Sequence, residues 1–178
     1  MRSWTRELYT ALADVESELD AFEHVSKYSR KIRSGGKVYF IGNGGSAAIA
    51  SHMAIDWFNA GGFSALAFND PASLTCLAND YHYRNVFKKP LERFVKPEDI
   101  LFAISSSGES ASITWAASAV RHICTVVTLS GFEPSNELRQ IGHFNFYVPS
   151  KKYGIVETAH LAILHSLLDG ICDFDRQS

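Results

Sequence analysis

Twice in this chain a short apolar run empties into a loop of small residues and then into a helical pattern. Ile100-Leu101-Phe102-Ala103-Ile104 leads into Ser105-Ser106-Ser107-Gly108-Glu109-Ser110. Lys37-Val38-Tyr39-Phe40-Ile41 leads into Gly42-Asn43-Gly44-Gly45-Ser46. Near-continuous apolar runs of this length suit strands covered on both faces. Hydroxyls and backbone N–H groups gathered where a strand meets a helix suit an anion, above all a phosphate.

The rest of the chain continues this alternation. Residues 4–32 contain no Pro or Gly. Trp4, Leu8, Leu12, Val15, Leu19, Phe22, Val25, Tyr28 and Ile32 recur there at steps of three or four, which predicts one long helix. Such a helix would be ~40 Å long at 1.5 Å per residue. Either it lies across its own domain or it builds an oligomer interface. The second is favoured, because an unpaired apolar stripe is costly. Gly35-Gly36 ends it. Strands are then expected at 38–41, 64–68, 100–104, 124–129 and 144–148. Helices are expected at 46–58, 71–78, 83–94 (with Pro90 bending or interrupting it), 111–122, 136–141 and 155–172. This order predicts an α/β fold, a three-layer αβα sandwich on a five-stranded parallel sheet. Residues 1–178 form one domain, with 1–34 as the oligomerisation helix and 35–178 as the αβα core. Ligands in such sheets sit beyond the carboxyl ends of the strands, where both polar loops emerge.

Composition narrows the function classes. The chain has 178 residues, 46% of them hydrophobic and 20% charged, which is a globular profile with room for a core. Net charge is −2 and the basic residues are scattered, which argues against a nucleic-acid surface. Cys76, Cys124 and Cys172 are an odd, widely spaced set with no CxxC and fit buried thiols in a reducing compartment. The polar N-terminus does not read as a signal peptide, and no uninterrupted apolar stretch matches a bilayer span. The expected location is cytoplasmic.

The glycine loop lacks both the GxGxxG spacing and the P-loop lysine, so it is either an ordinary turn or a ligand contact through Asn43 and Ser46. The serine loop carries more weight. One serine, Ser107 or Ser110, would cap a helix, and four exceed that need. His52 and Asp56 share a helix face four residues apart. They are either a solvent-facing pair or a metal or acid–base pair near the ligand, and Asp56 has the apolar company of Ile55, Trp57 and Phe58. The apolar last helix carries Glu157, His160, His165 and Asp169. At 100° per residue His160 lies about 60° from Glu157 on one side and His165 about 80° on the other, so periodicity does not choose between them. Asp80 is either a cap or a contact to sugar hydroxyls.

Taken in order, these pieces resemble the SIS (sugar isomerase) domain family, and within it the phosphoheptose (sedoheptulose 7-phosphate) isomerases. The resemblance rests on Gly-Asn-Gly-Gly-Ser, His52, Asn79-Asp80, the serine loop, and a late helix with Glu157 and His165. It spans nearly the whole chain. It implies a flavodoxin-like SIS fold and a homotetramer with sites between subunits. The implied reaction is aldose–ketose isomerisation through an enediol, from sedoheptulose 7-phosphate to D-glycero-D-manno-heptose 7-phosphate. Carried onto this chain, Asn43, Gly44, Gly45, Asn79, Asp80, Ser105, Ser106, Ser107, Ser110 and Glu157 become substrate contacts. His52, Asp56, Glu157 and His165 become ligands for Zn²⁺ or another divalent metal. Asp56 and His165 become the acid–base pair, so the resemblance selects His165 over His160. The heptose enzymes carry Glu at the position of Asp56, Gln at that of Glu157, and often Asp-Arg where this chain has Gly154-Ile155. Lys151 and Lys152 lie nearby as possible replacement charge. The alternative is a non-catalytic regulator of this fold that binds a phosphosugar or a protein such as a replication initiator. An enzyme is favoured because acid and base types are both kept. An enzyme of amino-sugar phosphates fits less well, since those usually have larger or duplicated chains.

Overall fold

A computed structural model describes residues 1–15, 17, 20–33 and 35–177. Its centre is a five-stranded parallel sheet in the order β2-β1-β3-β4-β5. The strands are β1 (Lys37–Ile41), β2 (Ser64–Ala67), β3 (Ile100–Ser105), β4 (Thr125–Ser130) and β5 (Phe144–Tyr147). The helices are α1 (Arg2–Ala13), α2 (Ala21–Ile32), α3 (Gly45–Asn59), α4 (Pro71–Tyr81), α5 (Lys88–Phe94), α6 (Ala111–Val120) and α7 (Tyr153–Gln177). This is the flavodoxin-like order, and it reverses between β1 and β3.

Strand side chains alternate between two cores, as a period of two requires. Val38, Phe40, Ile100, Phe102, Ile104, Val127 and Leu129 face the helices α2, α3 and α7. Tyr39, Ile41, Leu101, Ala103 and Val126 face α5 and α6. The central strands are buried on both faces, which explains their unbroken apolar sequence. At the amino edge Asp99 is buried and accepts hydrogen bonds from Lys37 N and Lys96 N, each 2.7 Å. That pins the entrance of β3 beside that of β1.

Three helix expectations are revised. The single long N-terminal helix is two helices, α1 and α2, and the intervening Leu19 of the expected stripe lies outside the described residues. The sequence there puts acids at positions 14, 16, 18 and 20, and like charges at i,i+4 oppose helix continuation. Asp20 starts α2 from a left-handed conformation with φ 59°. Both α1 and α2 pack against α7. Of the stripe, Val25 and Ile32 are buried in the core shared with α7 and Leu8, Val15 and Tyr28 pack partly against it, whereas Trp4, Leu12 and Phe22 stay exposed. The expected 83–94 helix is also divided, into a 3₁₀ turn (Tyr83–Asn85) and α5. Pro90 lies in the first turn of α5, where its missing N–H costs nothing. The expected 136–141 helix is only a 3₁₀ turn at Leu138–Gln140. Within α7, Tyr153–Phe174 is long and apolar enough to cross a membrane, but half of that window is buried in the core.

Candidate active site

A pocket of about 170 Å³ opens at the carboxyl edge, at the β1/β3 switch point. Its floor is Ile104 and Ile113, and its wall is Ser105, Ser106, Ser107 and Ser110 from the loop after β3. Asn43 and Ser46 come from the loop after β1, and Tyr153 and Glu157 from the start of α7. The first turns of α3, α6 and α7 therefore converge here, and each helix presents its positive end. Among the described residues no Lys or Arg lines the pocket. An anion would be held by hydroxyls, backbone N–H groups and helix dipoles.

The chain builds this loop with few options. Gly108 sits at φ 70°, and a Cβ there would overlap the amide of Asn136. Asn136 is buried and ties the exit of β4 together through Ser130 Oγ, Gly131 O and Glu133 O. Ser107 Oγ accepts from Glu109 N at 3.2 Å, a local turn. Ser110 stands at the N-cap of α6 but makes no side-chain cap. Its hydroxyl instead accepts from Asn43 Nδ2 at 2.8 Å. At Gly45 a Cβ would meet the carboxylate of Glu157, so the glycine leaves room for that side chain.

A second cluster lies further along α3 and α7. His52 Nε2 is 3.3 Å from His165 Nε2 and 3.3 Å from Asp56 Oδ2, and His165 Nδ1 is 4.0 Å from that same oxygen. The three side chains are half-exposed at the surface. Among the described residues they form a group whose ligand atoms all lie within 4.8 Å of one another. Two imidazole nitrogens facing each other beside a carboxylate suit a shared cation. Donors on a tetrahedral ion with bonds of about 2.0–2.1 Å stand about 3.3 Å apart, so the two 3.3 Å separations fit.

The placements sort the sequence candidates. His52, Asp56 and His165 come together, and Asn43 and the four serines line the pocket. Gly44 caps α3 at φ 53°, and Gly45 touches Glu157. Glu157 stands in the serine pocket and outside the His/Asp group. Eight residues separate it from His165, about 12 Å along the helix. Asn79 and Asp80 are exposed near the end of α4, bonded to each other at 3.0 Å and outside the pocket. His160 is fully buried with Nε2 on Ser130 O at 3.2 Å, and burial pushes its pKa down to about 4. It is a core histidine. Lys151 and Lys152 are engaged by Glu133 and Glu7 rather than turned to the pocket. Sequence reasoning missed Tyr153 and Tyr83. Tyr153 gives no signal beyond its place at a helix start. Tyr83 reaches Asn43 Oδ1 at 2.7 Å from 40 residues away, which no local pattern encodes.

A family model described as SIS domain matches residues 3–131. The phosphoheptose isomerase of Mycobacterium tuberculosis (strain ATCC 25177 / H37Ra) is 38% identical over 146 residues, covering 78% of this chain and 74% of that protein. That of Thiobacillus denitrificans is 33% identical over 176 residues, 89% of each. The structure of phosphoheptose isomerase GmhA from Neisseria gonorrhoeae superposes with a TM-score of 0.83 at 26% identity, over 94% of this chain and 91% of that one. On the matched model, the relatives and the shared architecture, this chain belongs to the SIS domain family, as a phosphoheptose isomerase-like enzyme.

Proposed function

We propose that this chain interconverts an aldose and a ketose phosphate, with sedoheptulose 7-phosphate as ketose and D-glycero-D-manno-heptose 7-phosphate as aldose. The observation that carries the reading is the spacing between the serine pocket and the His52/Asp56/His165 cluster. Ser46 and His52 are six residues apart on α3, about 9 Å along its axis. A seven-carbon sugar has six C–C bonds of about 1.5 Å, an extended reach of about 8 Å. In this reading phosphate sits among the serines and the carbonyl end lies toward the cluster, a span that a seven-carbon chain matches along α3 and a three-carbon one does not.

In this reading Asp56 removes the proton from the carbon beside the carbonyl, and His165 supplies a proton to the carbonyl oxygen. An enediol results. Asp56 then returns its proton to the neighbouring carbon while His165 takes one from the adjacent hydroxyl, so no proton is gained or lost. Glu157, at the pocket wall, accepts hydrogen bonds from sugar hydroxyls. His52, Asp56 and His165 would hold a divalent ion, Zn²⁺ by donor type, which when bound would polarise the carbonyl oxygen. A carboxylate whose lone pairs hold a metal is a poor base. Chelation therefore separates the roles: turnover that survives it assigns Asp56 as base, and turnover lost and restored by Zn²⁺ assigns it as ligand.

The reading extends to a homotetramer with sites between subunits. Trp4, Tyr9, Leu12 and Phe22 on α1 and α2, and Ile55, Phe58 and Leu66 beside the cluster, remain exposed. Burying them against other copies would remove that apolar surface from water. All three thiols are free, in keeping with a cytoplasmic setting, but only Cys124 is buried as expected; Cys172 is half-buried and Cys76 is exposed. The deciding experiment incubates the purified protein with sedoheptulose 7-phosphate and shorter ketose phosphates, with and without Zn²⁺. Heptose 7-phosphate formation supports the isomerase. No turnover of any ketose phosphate, with sugar phosphate still bound, leaves the non-catalytic regulator.

A further inference from the structure

Asn43 has no amide hydrogen left for a substrate. Its Nδ2 donates to Ser110 Oγ and to Ser112 Oγ, each at 2.8 Å, and its Oδ1 accepts from Tyr83 Oη–H at 2.7 Å. An amide carries two N–H donors, so both are spent on protein. We propose that Tyr83 is a positioning residue for the anion pocket: it holds the Asn43 amide in the orientation that leaves the Ser110 hydroxyl proton free for the bound phosphate. The inference rests on the phosphate reading of the serine loop.

The polarity of the chain is what matters. Ser110 Oγ receives a hydrogen bond from Asn43, so its own O–H has to point elsewhere, and Ser110 lines the pocket. If the amide were turned over, Oδ1 would face the two serines and consume their protons. The pocket would then present lone pairs to an anion, which is repulsive. A hydrogen bond from Tyr83 to Oδ1 favours the productive orientation, and hydrogen bonds in a row strengthen one another.

Tyr83 is itself held for this task. Its 3₁₀ turn follows His82, which adopts φ 64° and ψ 149°. That region is all but confined to glycine, and such strain persists only where the surroundings enforce it. On one side the next residue, Arg84, stacks over Trp115 of α6 at 4.5 Å. On the other, Val86 and Phe87 are buried in the second core. The turn is thus clamped between α6 and the core, with Tyr83 aimed at the loop after β1.

The test is Tyr83→Phe, which removes only the hydroxyl, compared with Ser110→Ala and the double variant. Inorganic phosphate is the probe, with its Kd measured by calorimetry, alongside KM and kcat for sedoheptulose 7-phosphate. One lost hydrogen bond predicts a rise of about 3- to 10-fold in phosphate Kd for Tyr83→Phe, with KM rising more than kcat falls. In the Ser110→Ala background the same change should have little further effect, because the two act through one hydroxyl. A purely structural tyrosine would give additive effects, and additivity overturns the inference. So does an unchanged phosphate Kd in Tyr83→Phe when Ser110→Ala weakens binding, a result that leaves the phosphate pocket standing. Wild-type protein that binds no phosphate, with KM unmoved by Ser110→Ala, removes both.

Discussion

At the scale of single residues, the site depends on positions where a few atoms decide the outcome. Asp56→Asn keeps the shape of the side chain and removes its ability to take a proton. Turnover should fall by about 10²- to 10⁴-fold with the thermal midpoint nearly unchanged, measured in a coupled isomerase assay beside a melting curve. Gly45→Ala should push the Glu157 carboxylate aside, because the new methyl would occupy its place. The far end of a flexible side chain can move, so KM should rise with a stability change below about 1 kcal/mol. His82→Gly should do the reverse, relieving a strained φ of 64° and raising the urea midpoint by about 1 kcal/mol equivalent. The candidate residues that stood out in the sequence were those whose chemistry is local. Four serines in one loop exceed a cap wherever the loop lies. Tyr83 and Asn136 could not be read this way, because their partners come from distant strands and helices.

At the scale of elements, the loop after β3 behaves as a preformed unit. Its shape comes from Gly108 at φ 70°, packed on Asn136. Gly108→Ala imposes both a left-handed conformation on an L-residue and a clash with a buried amide. It should cost more than about 1 kcal/mol by chemical denaturation and weaken phosphate binding at the same time. The strands and helices of the core were legible because their patterns are strong: unbroken apolar runs for doubly covered strands, and glycines at their ends. The N-terminal helix was not. Its stripe continues in register through residues 14–20, while the like charges there favour a break. Periodicity reports which face is apolar, but it does not report whether the rod stays straight. The last helix shows the same limit in another form. Glu157, His160 and His165 share an apolar segment, yet one lines the pocket, one is sealed in the core and one joins the cluster.

At the scale of the whole molecule, buried His160 links stability to pH. Burial holds its pKa at about 4, against 6.5 in the unfolded chain. Between those values the unfolded chain binds the proton and the native protein does not. Stability is therefore full above about pH 6.5 and is lost as pH falls toward 4, by about 3 kcal/mol in all. His143 has its pKa lowered by burial and then by Arg121, and it acts in the same direction. Denaturation midpoints across that range should show the slope, and His160→Gln, which keeps an N–H donor, should flatten it. By itself the sequence determined the class of fold, the edge of the sheet that carries the site, and the chemical types gathered there. Strand and helix patterns are local, and a parallel sheet leaves its loops only one edge for ligands. Only the tertiary structure decided which histidine joins His52 and Asp56 and which is core. It also separated Glu157 from the His/Asp/His cluster and brought Tyr83 to Asn43. Those facts depend on distances between elements far apart in the chain, which arise when the packed layers set the rotation and offset of each helix.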